Sequence, residues 1–137
     1  MYEFGSQPWL DAFVAAINGS SKYEEAAKDW EGDFYFILEP GGPVTEARYM
    51  YLDLWHGKCR KAEIVEVKDK DKYKPEFTIA GTLATWKSIR EKKINSTQAL
   101  LTRQLKLTGN MTKVMRATGA TRELGNATQM VPTIFPE

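Results

Sequence analysis

The order of patterns along the chain predicts an α+β fold, in which helices cover one face of a mostly antiparallel sheet. Three observations support this prediction. Apolar residues recur at helical spacing near the start, four short β-favouring runs follow one another between residues 34 and 80, and helical patterns return after Gly81. A chain of 137 residues is long enough to bury one core, so we expect a single domain over residues 1–137.

Two helices are predicted before the first strand. Pro8 suits the first turn of a helix, and Asn18-Gly19 suits its end. The apolar stripe between them consists of Trp9, Leu10, Phe13 and Ile17. The Ser-Lys-Tyr-Glu sequence at 21–24 has the spacing of a capping box, and it predicts a second helix that runs to about Asp29.

Four runs that favour β-structure predict consecutive strands. They lie at residues 34–38, 48–55, 62–67 and 77–80. Alternation in the second run gives the two sides of the sheet different residues: Met50, Leu52 and Leu54 on one side, and Tyr49, Tyr51 and Trp55 on the other. The short connections favour an antiparallel meander, with the charged residues 69–74 in a hairpin loop.

The segment after Gly81 carries the most distinctive pattern. An amphipathic helix with Trp86 near its centre runs into the basic pair Lys92-Lys93. A second helix opens at Asn95, a residue type favoured at helix N-caps. Residues 104–108 then predict a short fifth strand.

The last part of the chain begins with Gly109-Asn110, which predicts the start of a further helix. The apolar positions on either side of Gly119 are out of register with each other, so we expect this helix to break or bend near that glycine. Residues 131–136 include two prolines and are expected to be extended.

Composition argues against several classes of protein. Lysine and arginine number 19 against 18 for aspartate and glutamate, whereas nucleic-acid binders usually carry a basic face, so no nucleic-acid partner is expected. The single cysteine, Cys59, and the single histidine, His56, argue against disulfides and zinc, and we expect no cofactor. The N-terminus lacks the basic lead of a secretory signal, and no apolar stretch approaches the roughly 20 residues that span a bilayer. We therefore expect a cytoplasmic protein.

Catalytic motifs are weak, so we expect a protein that is not an enzyme and has no catalytic residues. Cys59 lies three residues after His56, and a turn could bring the two together as nucleophile and base. That pair is the enzymatic alternative. The carboxylates show no pairing, and Gly41-Gly42 is flanked by prolines and not followed by a helix, unlike a phosphate-binding loop.

The region from Trp86 to Asn110 resembles the sterol carrier protein domain family. In that family a Trp-bearing helix is followed by a corner, a helix that ends in an Ala-Leu-Leu-like step, a strand that alternates lysine with apolar residues, and a Gly-Asp pair. The matching positions are Trp86, Ala99-Leu100-Leu101, Leu105-Lys106-Leu107 and Gly109-Asn110. Two positions depart from the pattern: Arg103 stands where the family often has glycine, and Asn110 replaces the usual aspartate.

The resemblance implies a five-stranded sheet covered on one face by helices, with an apolar tunnel between the layers. It also implies non-catalytic binding and transfer of an apolar ligand, such as a fatty acid, acyl-CoA, sterol or phospholipid. We expect the tunnel to be lined by apolar residues of the sheet and of the later helices: Phe36, Met50, Leu52, Leu54, Leu83, Trp86, Ile89, Leu100, Leu101, Met111, Val114 and Met115.

Other interpretations stay open on the sequence alone. Every residue of that set would serve equally well in an ordinary core. Lys92, Lys93 and Arg103 would suit an anionic headgroup at a tunnel mouth, but solvated charges are the commoner role. The alternative function is an interaction or accessory subunit that pairs, for example as a homodimer, through exposed aromatics: Tyr35, Tyr49, Tyr51 and Trp55. Transient contact with a membrane also stays open.

Overall fold

The structure is a computed structural model that describes residues 1–136. In chain order, its elements are β1 (Tyr2–Glu3), α1 (Gln7–Asn18), α2 (Ser21–Ala26), β2 (Glu31–Leu38), β3 (Arg48–Trp55), β4 (Lys58–Val65), β5 (Phe77–Gly81), α3 (Leu83–Arg90), α4 (Ser96–Leu101), β6 (Lys106–Thr108), α5 (Met111–Arg116), α6 (Thr118–Gln129) and β7 (Thr133–Ile134). A 3₁₀ helix at Val67–Lys72 connects β4 to β5.

Polar side chains fix the starts of most helices. Asn95 and Asn110 accept hydrogen bonds from the backbone N–H groups of Gln98 and Lys113, at 2.7 and 3.2 Å. The helix starts predicted at both asparagines are therefore confirmed. The N-cap of α2 lies one residue earlier than predicted, because Ser20 rather than Ser21 accepts from the N–H of Tyr23 at 3.0 Å. This helix also ends at Ala26, short of the predicted Asp29.

The main sheet has the strand order β4-β3-β2-β5-β6. Strands β2 and β5 are parallel, and the other neighbouring pairs are antiparallel. The predicted α+β class, with a five-stranded and mostly antiparallel sheet, is confirmed. The prediction of an antiparallel meander is wrong for the fourth run, however, because β5 pairs with β2 rather than with β4. Residues 69–74 thus belong to a crossover connection and not to a hairpin loop.

Aromatic burial explains this crossover. Tyr35 and Tyr51 are only 3% and 6% exposed, and they form a second buried cluster with Val65. Tyr73, from the crossover, stacks on Tyr51 with ring centroids 3.7 Å apart, and the hydroxyl of Tyr35 donates to the carbonyl oxygen of Lys70 at 2.9 Å. The connection therefore covers the face of the sheet opposite the main core. The prediction that Tyr35 and Tyr51 are exposed is wrong.

The main core lies against the other face of the sheet. Met50, Leu52 and Leu54 are fully buried there, as their alternation in β3 predicted. The stripe of α1 packs into the same core, together with buried residues of helices α3 to α6. The predicted interruption of the last helix is confirmed: α5 ends at Arg116 and α6 begins at Thr118, close to Gly119.

The two ends of the described chain meet in a small parallel sheet that the sequence did not predict. Tyr2 and Glu3 pair with Thr133 and Ile134. The indole N–H of Trp9 donates to the hydroxyl of Thr133 at 2.9 Å, in a buried hydrogen bond. This closure holds the following side chain, Phe4, against the main core, where it packs edge-on to Trp9.

Arg103, one of the two departures from the family pattern, adopts a left-handed conformation with φ of 61° just after α4. This is the helix-ending position that glycine usually occupies. This conformation costs a non-glycine residue about 1–2 kcal/mol, and glycine avoids that cost. Glycine also loses more conformational entropy on folding, which offsets part of the gain, so Arg103→Gly should stabilise the fold by roughly 0.5–1 kcal/mol. Urea unfolding measures the change. Arg103→Ala is the control, since it retains the strain, and an equal gain in both variants would contradict the explanation.

Candidate functional site

A cavity of about 90 Å³ lies between the main sheet and the helices. Its wall is predominantly apolar. The residues that line it are Phe4, Trp9, Phe13, Phe34, Phe36, Met50, Ile79, Trp86, Ile89, Arg90, Ser96, Leu100, Leu105, Val114, Thr121, Leu124, Gly125 and Thr128. The sheet and helix layers thus leave space between them.

The regular alternation of the strands supplies the floor of the cavity. Phe34 and Phe36 lie two residues apart on β2, so both face the helices. Their neighbours in register, Met50 on β3 and Ile79 on β5, both pair with Phe36 and extend the same face. Trp86 covers this floor from α3, where its indole N–H donates to the carbonyl oxygen of Ile37 at 3.1 Å. That hydrogen bond orients the ring.

Half of the residues expected to line a tunnel converge on this cavity. They are Phe36, Met50, Trp86, Ile89, Leu100 and Val114. Leu52 and Leu54 are buried in the same core but do not reach the cavity, and Met115 is half-buried against that core. The role of all these residues in binding a ligand stays a prediction.

Three residues of the expected set lie elsewhere. Leu101 is 65% exposed although its neighbour Leu100 is buried, because successive residues on a helix point about 100° apart. Met111, the first residue of α5, is 39% exposed. Leu83 lies in a separate groove beside Lys87 and Phe135. These three side chains do not line this cavity, and their role in binding a ligand stays a prediction.

Several lining residues were not anticipated. Trp9 and Phe13 belong to the apolar stripe predicted for α1, but they were not among the residues expected to line the tunnel. Phe34 lies two residues before Phe36 on the same strand and therefore faces the same side of the sheet, so strand alternation alone could have predicted its place in the lining. Phe4 has no such signal, because it is placed by the two-residue strands at the ends of the chain. Arg90 was missed because charged residues are usually solvent-exposed.

A groove of about 680 Å³ adjoins the cavity between α6 and the corner that joins α3 to α4. Ile89, Ser96 and Gly125 line both spaces. Lys92, one of the three cations considered for a headgroup, lines the groove. The other two do not: Lys93 pairs with Glu91 at 3.3 Å, and Arg103 is exposed after α4.

The candidate cysteine nucleophile is inert in this structure. Cys59 is buried, and burial raises the pKa of its thiol to about 11, so the thiol stays protonated at neutral pH. Its Sγ donates to the carbonyl oxygen of Lys61 at 3.4 Å. His56 is engaged by Glu31 at 2.6 Å on the surface, and this hydrogen bond raises the pKa of the imidazole. Neither residue lines the cavity.

No helix in the described range, residues 1–136, combines the length and the apolar character needed to cross a bilayer.

Comparison with known proteins gives a consistent result. The profile of the SCP-2 sterol transfer family matches residues 11–122. A crystal structure of sterol carrier protein 2 is similar over 94% of this chain and 99% of its own, with a TM-score of 0.84 and 29% identity. A solution structure of a conserved hypothetical protein from Thermus thermophilus, described as a candidate sterol carrier protein, covers 96% of this chain and 92% of its own, at a TM-score of 0.82 and 27% identity.

A more distant structure shows the same fold. Sterol carrier protein 2 from Yarrowia lipolytica, in its apo form, covers 94% of this chain and 95% of its own, with a TM-score of 0.59 and 17% identity. No curated protein matches the chain.

Proposed function

Because the chain belongs to the SCP-2 sterol transfer family, we propose that it binds one long apolar molecule between its sheet and its helices and carries it without chemical change. The family and the fold support the binding and transfer of apolar lipids in general. The observation that carries the proposal is the apolar cavity at which Phe36, Met50, Trp86, Ile89, Leu100 and Val114 converge.

Apolar burial supplies enough free energy for such a ligand. Each buried methylene contributes about 0.8 kcal/mol, so a chain of sixteen carbons contributes on the order of 12 kcal/mol before costs. Ordering the ligand and losing its free motion removes several kcal/mol of that. Micromolar or tighter binding therefore needs few polar contacts.

The size of the cavity decides how a long ligand would fit. About 90 Å³ is well below the roughly 300–1,000 Å³ of ordinary small-molecule pockets. The adjoining groove offers about 680 Å³ more. We therefore propose that Ile89, Ser96 and Gly125 mark the mouth, and that a ligand extends through it into the groove. An added Cβ on Gly125 would meet only the Oγ of Ser96, at 3.8 Å, so this passage is widened by a small residue.

The polar groups of the cavity wall support carriage rather than catalysis. The hydroxyls of Thr121 and Thr128 donate to carbonyl oxygens of the same helical segment, at 3.0 and 2.6 Å. Neither is paired with a base. Among the described residues, those that line the cavity include no histidine, cysteine or carboxylate.

Contact quenching tests the proposal with a neutral ligand. A long-chain alcohol that carries bromine atoms near the middle of its chain should quench the indoles of Trp9 and Trp86, which line the cavity, in a saturable way with one site per chain. Trp86→Phe should remove a large part of the quenching, whereas Trp55→Phe, at an exposed position, should remove little. Native mass spectrometry should show one bound molecule. Absence of saturable quenching and of any bound apolar molecule would overturn the proposal.

A further inference from the structure

The charges of this chain are divided unevenly along its length. Residues 1–81 hold ten lysine and arginine side chains against fifteen aspartates and glutamates, whereas residues 82–136 hold nine against two. The near balance over the whole chain is thus the sum of an acidic part and a basic part. Such a difference indicates contact between the basic part and an anionic surface, such as a nucleic acid or a membrane.

The fold gathers the basic part on the helical side of the molecule. Residues 82–136 form helices α3 to α6, which pack on the main core, and the edge strand β6. Helix α1 lies against the same core but differs in charge, because it has no lysine or arginine and its one charged residue is Asp11. The basic surface therefore belongs to the later helices alone.

Exposed cations flank the short helix α4. Lys92 and Lys93 lie in the corner before this helix, and Arg103 lies two residues after its end. Within residues 1–136, Lys92 and Arg103 take part in no ion pair. Lys93 meets Glu91 at 3.3 Å, but its side chain stays 73% exposed, and exposed pairs of this kind are weak. All three cations are thus free to attract an anionic partner.

An exposed apolar side chain lies among these cations. Leu101 is 65% exposed, and it lines the groove together with Ile94, Lys92 and Arg122. Among the described residues, those that line this groove include no carboxylate and no aromatic side chain. Sites for single-stranded nucleic acid combine cations with aromatic side chains, whereas sites for a lipid surface combine cations with apolar side chains that enter the interface. The composition of this surface therefore favours a membrane.

Resting on the proposed function, we infer that the protein docks on anionic lipid bilayers through this α4 surface, which consists of Lys92, Lys93, Leu101, Arg103 and the groove beside them. The cations are attracted to the anionic headgroups, and Leu101 enters the boundary between headgroups and hydrocarbon. The groove then opens toward the bilayer. Because the groove shares a mouth with the cavity, an apolar molecule can pass between the two without crossing water.

Flotation with lipid vesicles tests the docking. Wild-type protein should bind vesicles of phosphatidylcholine with about 30% phosphatidylserine at least tenfold more tightly than vesicles of phosphatidylcholine alone, because each cation near an anionic surface favours binding by about fivefold. Raising the salt to about 0.5 M should remove this preference, since charges are then screened beyond about 4 Å. Equal binding to the two kinds of vesicle would overturn the inference.

A pair of charge reversals locates the docking surface. Lys93→Glu combined with Arg103→Glu changes no residue that lines the cavity or the groove, and it should weaken binding to the phosphatidylserine vesicles by about tenfold or more. The matched control combines Lys70→Glu with Lys74→Glu. These exposed lysines lie between β4 and β5, in the connection that covers the opposite face of the sheet, so net charge changes equally. The control should stay within about twofold of wild type, and equal losses would overturn the location.

Two further measurements separate the alternatives. Leu101→Gln should weaken vesicle binding by about threefold or more, because it removes the apolar contact. No loss would mean that the surface acts by charge alone, which would overturn docking on lipid in favour of an acidic protein partner. Quenching by the brominated alcohol reports the proposed function independently, and the Lys93 and Arg103 double variant should bind the alcohol within about twofold of wild type. Wild-type protein that binds the alcohol but no anionic vesicle overturns the docking alone, whereas the reverse result supports the docking and overturns the proposed function.

Discussion

Val114→Phe should weaken binding of the brominated alcohol by about tenfold or more while leaving the protein nearly as stable as wild type. Val114 is 4% exposed and lines the cavity from α5, so a phenyl ring at this position enters existing space. A ring that displaces two or three ligand methylenes removes about 0.8 kcal/mol for each, which corresponds to roughly tenfold or more in affinity. Fluorescence titration and urea unfolding measure the two quantities.

Met111→Phe provides the matched control. Met111 lies on the same helix, three residues earlier, but it is 39% exposed and does not line the cavity. The same ring there should change neither affinity nor stability appreciably. If Val114→Phe instead loses about 1–3 kcal/mol of stability with unchanged binding, Val114 belongs to a filled core and the ligand lies elsewhere.

Local rules account for the parts of the fold that were predicted. The asparagines at 95 and 110 accept backbone hydrogen bonds at helix starts, which depends only on residues within one turn. Alternation placed Met50, Leu52 and Leu54 on the buried face of β3. Both signals act over a few residues, so the sequence displays them directly.

Long-range contacts explain the errors. The pairing of β5 with β2 is accompanied by the stacking of Tyr73 on Tyr51, and a lone tyrosine in a charged run gives no periodic signal. The terminal strands are two residues long, too short to show alternation. These strands place Phe4 at the cavity wall, so the position of Phe4 could not be predicted from local pattern.

The candidate site was predicted only in part for a related reason. An Ala-Leu-Leu step indicates that one leucine faces inward, but the choice between Leu100 and Leu101 depends on how α4 sits on the sheet. Arg90 was missed because its burial follows from Val131 lying beside it, 41 residues away in sequence. The lining residues that local pattern did not predict are thus the ones whose positions depend most on tertiary packing.

The largest expected loss of stability follows Gly57→Ala, at the turn between β3 and β4. His56 and Gly57 form a two-residue turn with φ of 49° and 80°, a combination that the second position fills best with glycine. A Cβ on Gly57 would lie 2.8 Å from both the Cα and the carbonyl oxygen of Glu24 in α2. Backbone atoms cannot rotate out of the way as a side chain does, so the hairpin or α2 must shift.

Other contacts resist that shift. Lys58 pairs with Glu24 at 2.7 Å, and the side-chain amide of Asn18 bonds both backbone polar groups of Cys59, at 2.8 and 3.1 Å. We therefore expect Gly57→Ala to cost about 1 kcal/mol for the left-handed conformation and about 1–3 kcal/mol more for the displaced backbone. Urea unfolding measures the total.

Gly42→Ala separates the two contributions to the cost of Gly57→Ala. Gly42 also has a positive φ, 53°, but an added Cβ there meets no heavy atom within 4 Å. This variant should lose only about 1 kcal/mol, the cost of conformation alone. Equal losses in the two variants would mean that α2 yields to the new methyl group without cost, and that the contacts of Lys58 and Asn18 do not hold the hairpin against the helix.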